Sequence, residues 1–538
     1  MPDKSLPEQP NLEQYKKQAK DLVRAHSQGS AEAVGRVGRH HPRLRNRPPD
    51  EAGLPPFHLS DAQLVIAREH GFESWPQFAQ HIETLRLTRA VASLDDPASA
   101  FVEAACVPRH GHSSGTLEEA DLILRRYPQA TTNSIYAAAL LADETSVKGF
   151  LSHDSAGATA KGGPRGWDAL TYLCFSRYLR LDRARSEAFV RTARALLDAG
   201  APANTGWIEM IDHPNPRPVI EAAIYGAAGI AQHAELTRLL LARGANPNDE
   251  ETPYHVPETR DNTVLKILLE SGKLNERSMS TLLLRKCDWH DLEGVRLMLE
   301  HRADPNSIMG WGIAAIHQAV RRDNQIETLE LLLDYGADPT LPDRHGSSAV
   351  AIAARRGRAA ALDLFEQRGT NVELTGVDAL IAACARDHKE RLRSLTAAEP
   401  QWKADLLAQG GTLLAQFSGV GNLAGVRNLL DLGVSAAELY REGDGYFGIA
   451  RDSTALHVAA WRAWPELVKE LIKRGAPIHA TDAQGRTALE LAVKACVDSY
   501  WTELRSPDSV RALLEAGASI AGITLPTGYD EIDELLRN

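Results

Sequence analysis

Asp452-Ser453-Thr454-Ala455-Leu456-His457-Val458-Ala459-Ala460, then Glu466-Leu467-Val468-Lys469-Glu470-Leu471-Ile472, then Gly475-Ala476, is the stretch from which the fold follows. Thirty-three residues after Thr454 the phrase returns as Thr487-Ala488-Leu489-Glu490-Leu491-Ala492. A fixed period of that size predicts a stack of helix pairs, because one pair has too little apolar surface for a core and must bury it on its neighbours. Thr454 is placed to cap the first helix, with Leu456, Ala459 and Ala460 on one narrow face. Leu467, Leu471 and Ile472 give the second helix its stripe, and Gly475 stands where a helix ends in a left-handed residue.

Thr-Ala-Leu-His-x-Ala-Ala, a polar turn, Leu-Val-x-x-Leu-Ile and Gly-Ala resemble the ankyrin repeat. The resemblance implies an all-α solenoid and covers about residues 98–525, most clearly 236–370 and 420–520. The expected organisation is a helical N-terminal cap over 1–90, degenerate helical repeats over 91–160, and an ankyrin array with insertions over 161–538. The leader is similar to the helical segment ahead of some bacterial ankyrin arrays, with Phe72, Trp75 and Phe78 as the apolar closure.

The chain has 538 residues, 60 basic against 71 acidic, and a formal charge of −11. That balance argues against a nucleic-acid partner, since phosphates reward clustered cations. The one basic strip, Arg36 to Pro49, has no interleaved aromatics and reads as a solvated helix end. Five widely spaced cysteines predict free, buried thiols in a reducing compartment. With no signal-like start and no run of 18 apolar residues, the expectation is a cytoplasmic protein with no membrane partner.

Along the chain, residues 157–166 are glycine-rich but lack the order of a phosphate loop and read as a connecting turn. Residues 177–185 and 220–230 read as lengthened helices, and Pro257 shortens the helix that Pro253 opens. Repeats follow through 280–299, 314–333, 346–365, 378–395 and 410–430. Two insertions stand out, 440–448 with Tyr440 and Phe447, and the segment holding Tyr500 and Trp501.

The resemblance implies that partners meet the inner helices, the turns after them and the hairpin tips. There the chain carries Arg260, Asp261, Trp289, Arg322, Asp323, Arg355, Arg356, Trp461 and Trp464, joined by Tyr500 and Trp501 from the insertion. Arginine and aromatic anchors carry binding energy at interfaces, so the leading reading is a non-enzymatic scaffold for a protein or peptide of alternating charge. The alternative is an enzyme or small-molecule binder with an acidic, histidine and aromatic pocket. Its catalytic candidates are Glu251, Glu258, Asp288, His290 and Asp291, beside Glu250, His255 and Asp261. No nucleophile motif accompanies them. His255, His317 and His457 occupy the position where the resemblance implies a turn-bonding histidine. Cys106, His110 and His112 fall short of the four ligands of a structural zinc, so neither metal nor cofactor is expected.

Overall fold

The computed structural model describes residues 4–7, 9–42, 44, 57, 59–211, 216–499, 504–523 and 525–537. Tyr500, Trp501 and the strip residues Arg43, Arg45, Arg47, Pro48 and Pro49 lie outside them. The chain divides into two compact units, residues 1–57 with 61–310, and residues 58–60 with 311–538.

The first unit opens with helices Leu12–Ser27, Ala31–His40, Leu59–Glu69 and Trp75–Ala92. Asn11 and Ser74 cap two of them through their side chains. Tyr15, Leu22, Val37, Val65, Ile66, Phe78 and Ile82 form a core of their own, flanked by Phe72 and Trp75. The buried Glu69 is held by Lys4 at 2.6 Å and Arg36 at 2.6 Å. The leader aromatics therefore serve a local core.

Helix pairs follow: Pro97–Ala105 with Glu118–Arg126, Ile135–Leu140 with Glu144–His153, and Ala169–Cys174 with Ser186–Asp198. The glycine-rich segment is a turn, closed by Gly162 N–H on the carbonyl of Trp167 at 3.0 Å. Residues 220–222, expected at the start of a lengthened helix over 220–230, instead end a strand, Arg217–Ala222, paired antiparallel with Gly206–Ile211. Trp207 faces Glu221 across this hairpin, and Glu209 faces Val219. Ile208, Met210 and Ile220 lie on its other, exposed face. Helices Ala234–Ala242, Glu251–His255, Thr263–Glu270, Glu276–Asp288 and Leu292–Glu300 complete the unit. Glu251–His255 stops early, as Pro257 requires.

The second unit stacks helix pairs. Ala315–Arg321 pairs with Ile326–Asp334, Ala349–Arg355 with Ala359–Gln367, Val377–Ala385 with Lys389–Ala398, Gly410–Gly419 with Leu423–Leu432, and Ala455–Trp461 with Pro465–Lys473. Ala488–Val497 and Asp508–Glu515 follow, the first ending ahead of the segment that holds Tyr500 and Trp501. The helix starts are fixed as the sequence predicts. Thr454 N–H donates to His457 Nδ1 at 3.1 Å, which leaves Nε2 to donate to the carbonyls of Ala480 at 3.0 Å and Arg486 at 3.2 Å. His317 repeats this with Ala314 N–H at 3.2 Å and the Leu341 carbonyl at 2.8 Å. Each ring ties its own helix to the next hairpin.

Small residues set the spacing between repeats. Gly421 has φ of +79°, and a Cβ there would meet the Trp464 ring at 2.8 Å. At the equivalent turns His290, Asp323, Asp387 and Ala463 adopt positive φ without glycine's freedom, held by the surrounding stack. All five cysteines are free and buried.

Candidate functional site

The inner edge of the second unit is occupied by the chain itself. Asp323, its side chain 10 % exposed, accepts from Arg356 at 3.1 and 3.2 Å and from Arg462 at 3.4 Å. These cations hold its carboxyl below the usual range even though burial opposes them. The 440–449 insertion folds over the group. Asp444 lies 3.7 Å from Arg356, the Phe447 ring is 4.3 Å from the Arg462 guanidinium, and the Tyr446 ring is 3.7 Å from that of Arg322. Trp461 Nε1–H donates to the Phe447 carbonyl at 2.6 Å, and its ring packs on Leu491 and Ala495.

Trp464 donates to the Gly419 carbonyl at 3.0 Å, and Arg355 binds Asp378 at 2.7 Å and Gln409 at 2.9 Å. Six of the residues read as an open partner edge, Arg322, Asp323, Arg356, Trp461, Trp464 and Arg355, are thus engaged within the fold. The sequence did not show this because it gives the insertion's position but not the face it covers.

In the first unit the expected acid and histidine group divides in two. Asp291 caps Leu292–Glu300 and accepts from Lys286 Nζ at 2.8 Å and Asn262 at 3.0 Å. Lys286 has no exposed side chain and also donates to the Thr259 carbonyl at 2.8 Å. Asp288 pairs with Arg285 at 2.7 Å. These two carboxylates are committed to cations that join one turn to the next. His290 sits beside them on an exposed turn.

Glu251, His255 and Glu258 do come together. His255 Nε2 lies 3.2 Å from Glu251 and Nδ1 3.2 Å from Glu258. Burial alone would lower its pKa, but the two carboxylates raise it to about 9. His255 therefore departs from the turn-bonding role that His317 and His457 keep. Arg285 binds Glu258 at 2.7 Å and lies 4.0 Å from the Tyr254 ring centroid.

The hairpin adds residues the sequence reading passed over. Tyr225 is 5.1 Å from the His255 ring and bonds His112 Nδ1 at 2.7 Å through its hydroxyl. Trp207 stacks on Trp167 at 4.1 Å and lies edge-on to Phe175 at 4.2 Å. Glu221 is 5 % exposed, and burial, reinforced by Glu251 and Glu209, pushes its carboxyl up to about 8. Asp249 rises to about 7, again mainly by burial. Alternation of Trp207 and Glu209 with Ile208 and Met210 was the available signal, since period two marks a strand. Among the described residues no three of His, Cys, Asp and Glu converge to hold a metal.

On the outside of this group a turn edge remains open. Turn 258–262 and turn 288–291 are locked together by the Lys286 to Thr259 and Asn262 to Asp291 bonds. They carry the exposed Arg260, Asp261 and Trp289, the last 41 % exposed. Among the described residues no helix is long and apolar enough to cross a membrane.

Comparison with known proteins matches residues 316–406 to ankyrin repeats in three copies and residues 429–492 to ankyrin repeats in many copies. The chain is 26 % identical over 297 residues to human transient receptor potential cation channel subfamily A member 1, covering 53 % of this chain and 23 % of that one. It is 38 % identical over 89 residues to human BCL-6 corepressor-like protein 1, covering 16 % of this chain and 5 % of that one. The chain thus spans less than a quarter of either relative. The crystal structure of the human ASB11 ankyrin repeat domain is similar at 22 % identity and a TM-score of 0.20, covering 44 % of this chain and 99 % of that one. The repeat period, the capping histidines His317 and His457 and the matched segments agree, and the chain is an ankyrin-repeat-containing protein.

Proposed function

We propose that this chain is a protein-binding scaffold whose partner docks on the turn edge of the first unit, at Arg260, Asp261 and Trp289. Ankyrin repeats are protein-interaction modules. The observation that carries the placement is Trp289, a large aromatic left 41 % exposed on a turn whose base is pinned by a fully buried lysine. An anchor already held in place loses little entropy on binding, and tryptophan and arginine are the residues that most often dominate an interface. Arg260 and Asp261 set both charges beside it, which suits a partner of alternating charge.

The test is a pull-down with the intact protein beside Trp289→Ala and Arg260→Ala, each checked for unchanged melting. The reading expects a protein recovered by the parent, identified, and then bound at least tenfold more weakly by the purified variants. Equal binding by parent and variants removes the turn edge from consideration. Arg322 and Trp461 are unsuitable for this test, because their contacts hold the 440–449 insertion.

A further inference from the structure

The inner face of the 206–222 hairpin holds a charge arrangement that the turn edge does not explain. Glu221 is buried, and its Oε2 has no hydrogen-bond partner among the described residues. Two acids near it are already bonded, Glu209 to Trp207 Nε1 at 3.3 Å and Asp249 to Thr252 N–H at 2.7 Å, while Glu251 meets His255 through one carboxylate oxygen, Oε2, at 3.2 Å. Exposure falls inward, from 35 % at Glu258 through 28 % at His255 and 19 % at Glu251 to 5 % at Glu221. An unpartnered buried carboxyl costs stability unless something pairs with it.

We propose that this face binds an ammonium group, with Glu221 and Glu251 as its anionic partners and the Trp207 and Tyr225 rings as its aromatic walls. The register sets Trp207 directly opposite Glu221, and Tyr225 ends the short helix Ala223–Tyr225 that follows the strand. A cation beside aromatic faces and desolvated carboxylates gains from both, whereas a metal would need donors converging on one point, which is not the arrangement here. The ammonium group belongs either to a free small amine or to a lysine side chain.

The linkage to pH follows from the groups that face Glu221: Glu209 from the first strand, Asp249 and Glu251 with His255 from the next repeat, and Tyr225 with its partner His112. Without ligand Glu221 holds its proton up to about pH 8. Binding a cation at pH 7 therefore releases about one proton, and affinity weakens about tenfold per pH unit below 8. Asp249, raised to about 7, adds to this trend below that pH, and His255 stays charged to about 9.

The experiment is calorimetric titration of the full chain with butylammonium, tetramethylammonium, and a short lysine peptide beside its acetyl-lysine form. It is run in two buffers of different ionisation enthalpy and repeated on Glu221→Gln. The expected result is binding of an ammonium probe with proton release, at least tenfold weaker at pH 6 than at pH 8, and lost in Glu221→Gln. Binding by a free amine assigns the site to a small molecule, and binding by the lysine peptide alone assigns it to a protein side chain. The proposal is overturned if no probe binds, if binding releases no proton in the parent, or if Glu221→Gln binds equally. Unchanged melting of the variant separates loss of the site from loss of the fold.

Discussion

Lys286 shows how much one side chain can hold at this scale. It lies fully buried between two turns, with Asp291 and the Thr259 carbonyl each at 2.8 Å. Removing one member of a buried pair strands the other charge, so Lys286→Met is expected to cost about 3–5 kcal/mol in denaturant unfolding. Lys286→Met with Asp291→Asn should recover part of that loss, because the stranded carboxylate is gone. An additive pair of effects would refute the coupling.

Glu221 and His255 make a second prediction at the same scale. Glu221, raised to about 8 from a carboxylate's ordinary value near 4.5, contributes stability that is fully present at low pH and lost as pH rises toward 8. His255, raised to about 9 from 6.5, contributes stability present below 6.5 and lost as pH rises through 9. Both act in one direction, so thermal unfolding of the first unit should occur at lower temperature at pH 9 than at pH 6.5. The loss is on the order of a few kcal/mol. Glu221→Gln should flatten that slope, and an unchanged slope would deny the buried carboxyl its part.

At the scale of elements, the 440–449 insertion and the 206–222 hairpin differ from the repeats that carry them. The 440–449 insertion closes on itself through the Asp444 and Ile449 bridge and buries Tyr440 against Ala415 and Val458. Its Phe447 is 4 % exposed, and it covers Arg356 and Arg462. Phe447→Ala is expected to cost about 3–5 kcal/mol by denaturant unfolding. It should also open the guanidinium groups to phenylglyoxal, which mass mapping would read at Arg356 and Arg462. Protection equal to that of the parent would mean that the insertion is not what shields them. The 206–222 hairpin behaves differently, since its exposed Ile208, Met210 and Ile220 leave it one packed face.

At the scale of the whole molecule, stability in a repeat stack is a sum of local terms, so the two units need not melt as one. The pH-sensitive pair of Glu221 and His255 lies entirely in the first unit. Calorimetry between pH 7 and 9 should therefore move one transition down in temperature and leave another nearly in place. A single transition that moves as a whole would show that the units unfold together.

What the sequence by itself determined is the repeat and its joints. Thr454 and His457, Thr487 and Glu490, the leucine stripe of 465–473 and the left-handed Gly475 are local instructions, each acting within one period or on the adjacent one. A period of 33 residues makes such short-range chemistry repeat legibly. The Glu251, His255 and Glu258 group was visible because the three are close in sequence: Glu251 and His255 are i and i+4 on one short helix, and Glu258 lies in the turn that follows it.

The tertiary structure decided what covers what. Arg322, Arg356 and Trp461 read as an open edge because nothing local reports that the 440–449 insertion returns onto them. Glu221 read as part of a helix because its partner strand was not recognised. Asp288 and Asp291 read as acids beside a histidine, but the cations opposite them, Arg285 and the fully buried Lys286, claim them. Pairings across long separations depend on where loops close and which charges burial forces together, and those are properties of the packed chain rather than of any stretch within it.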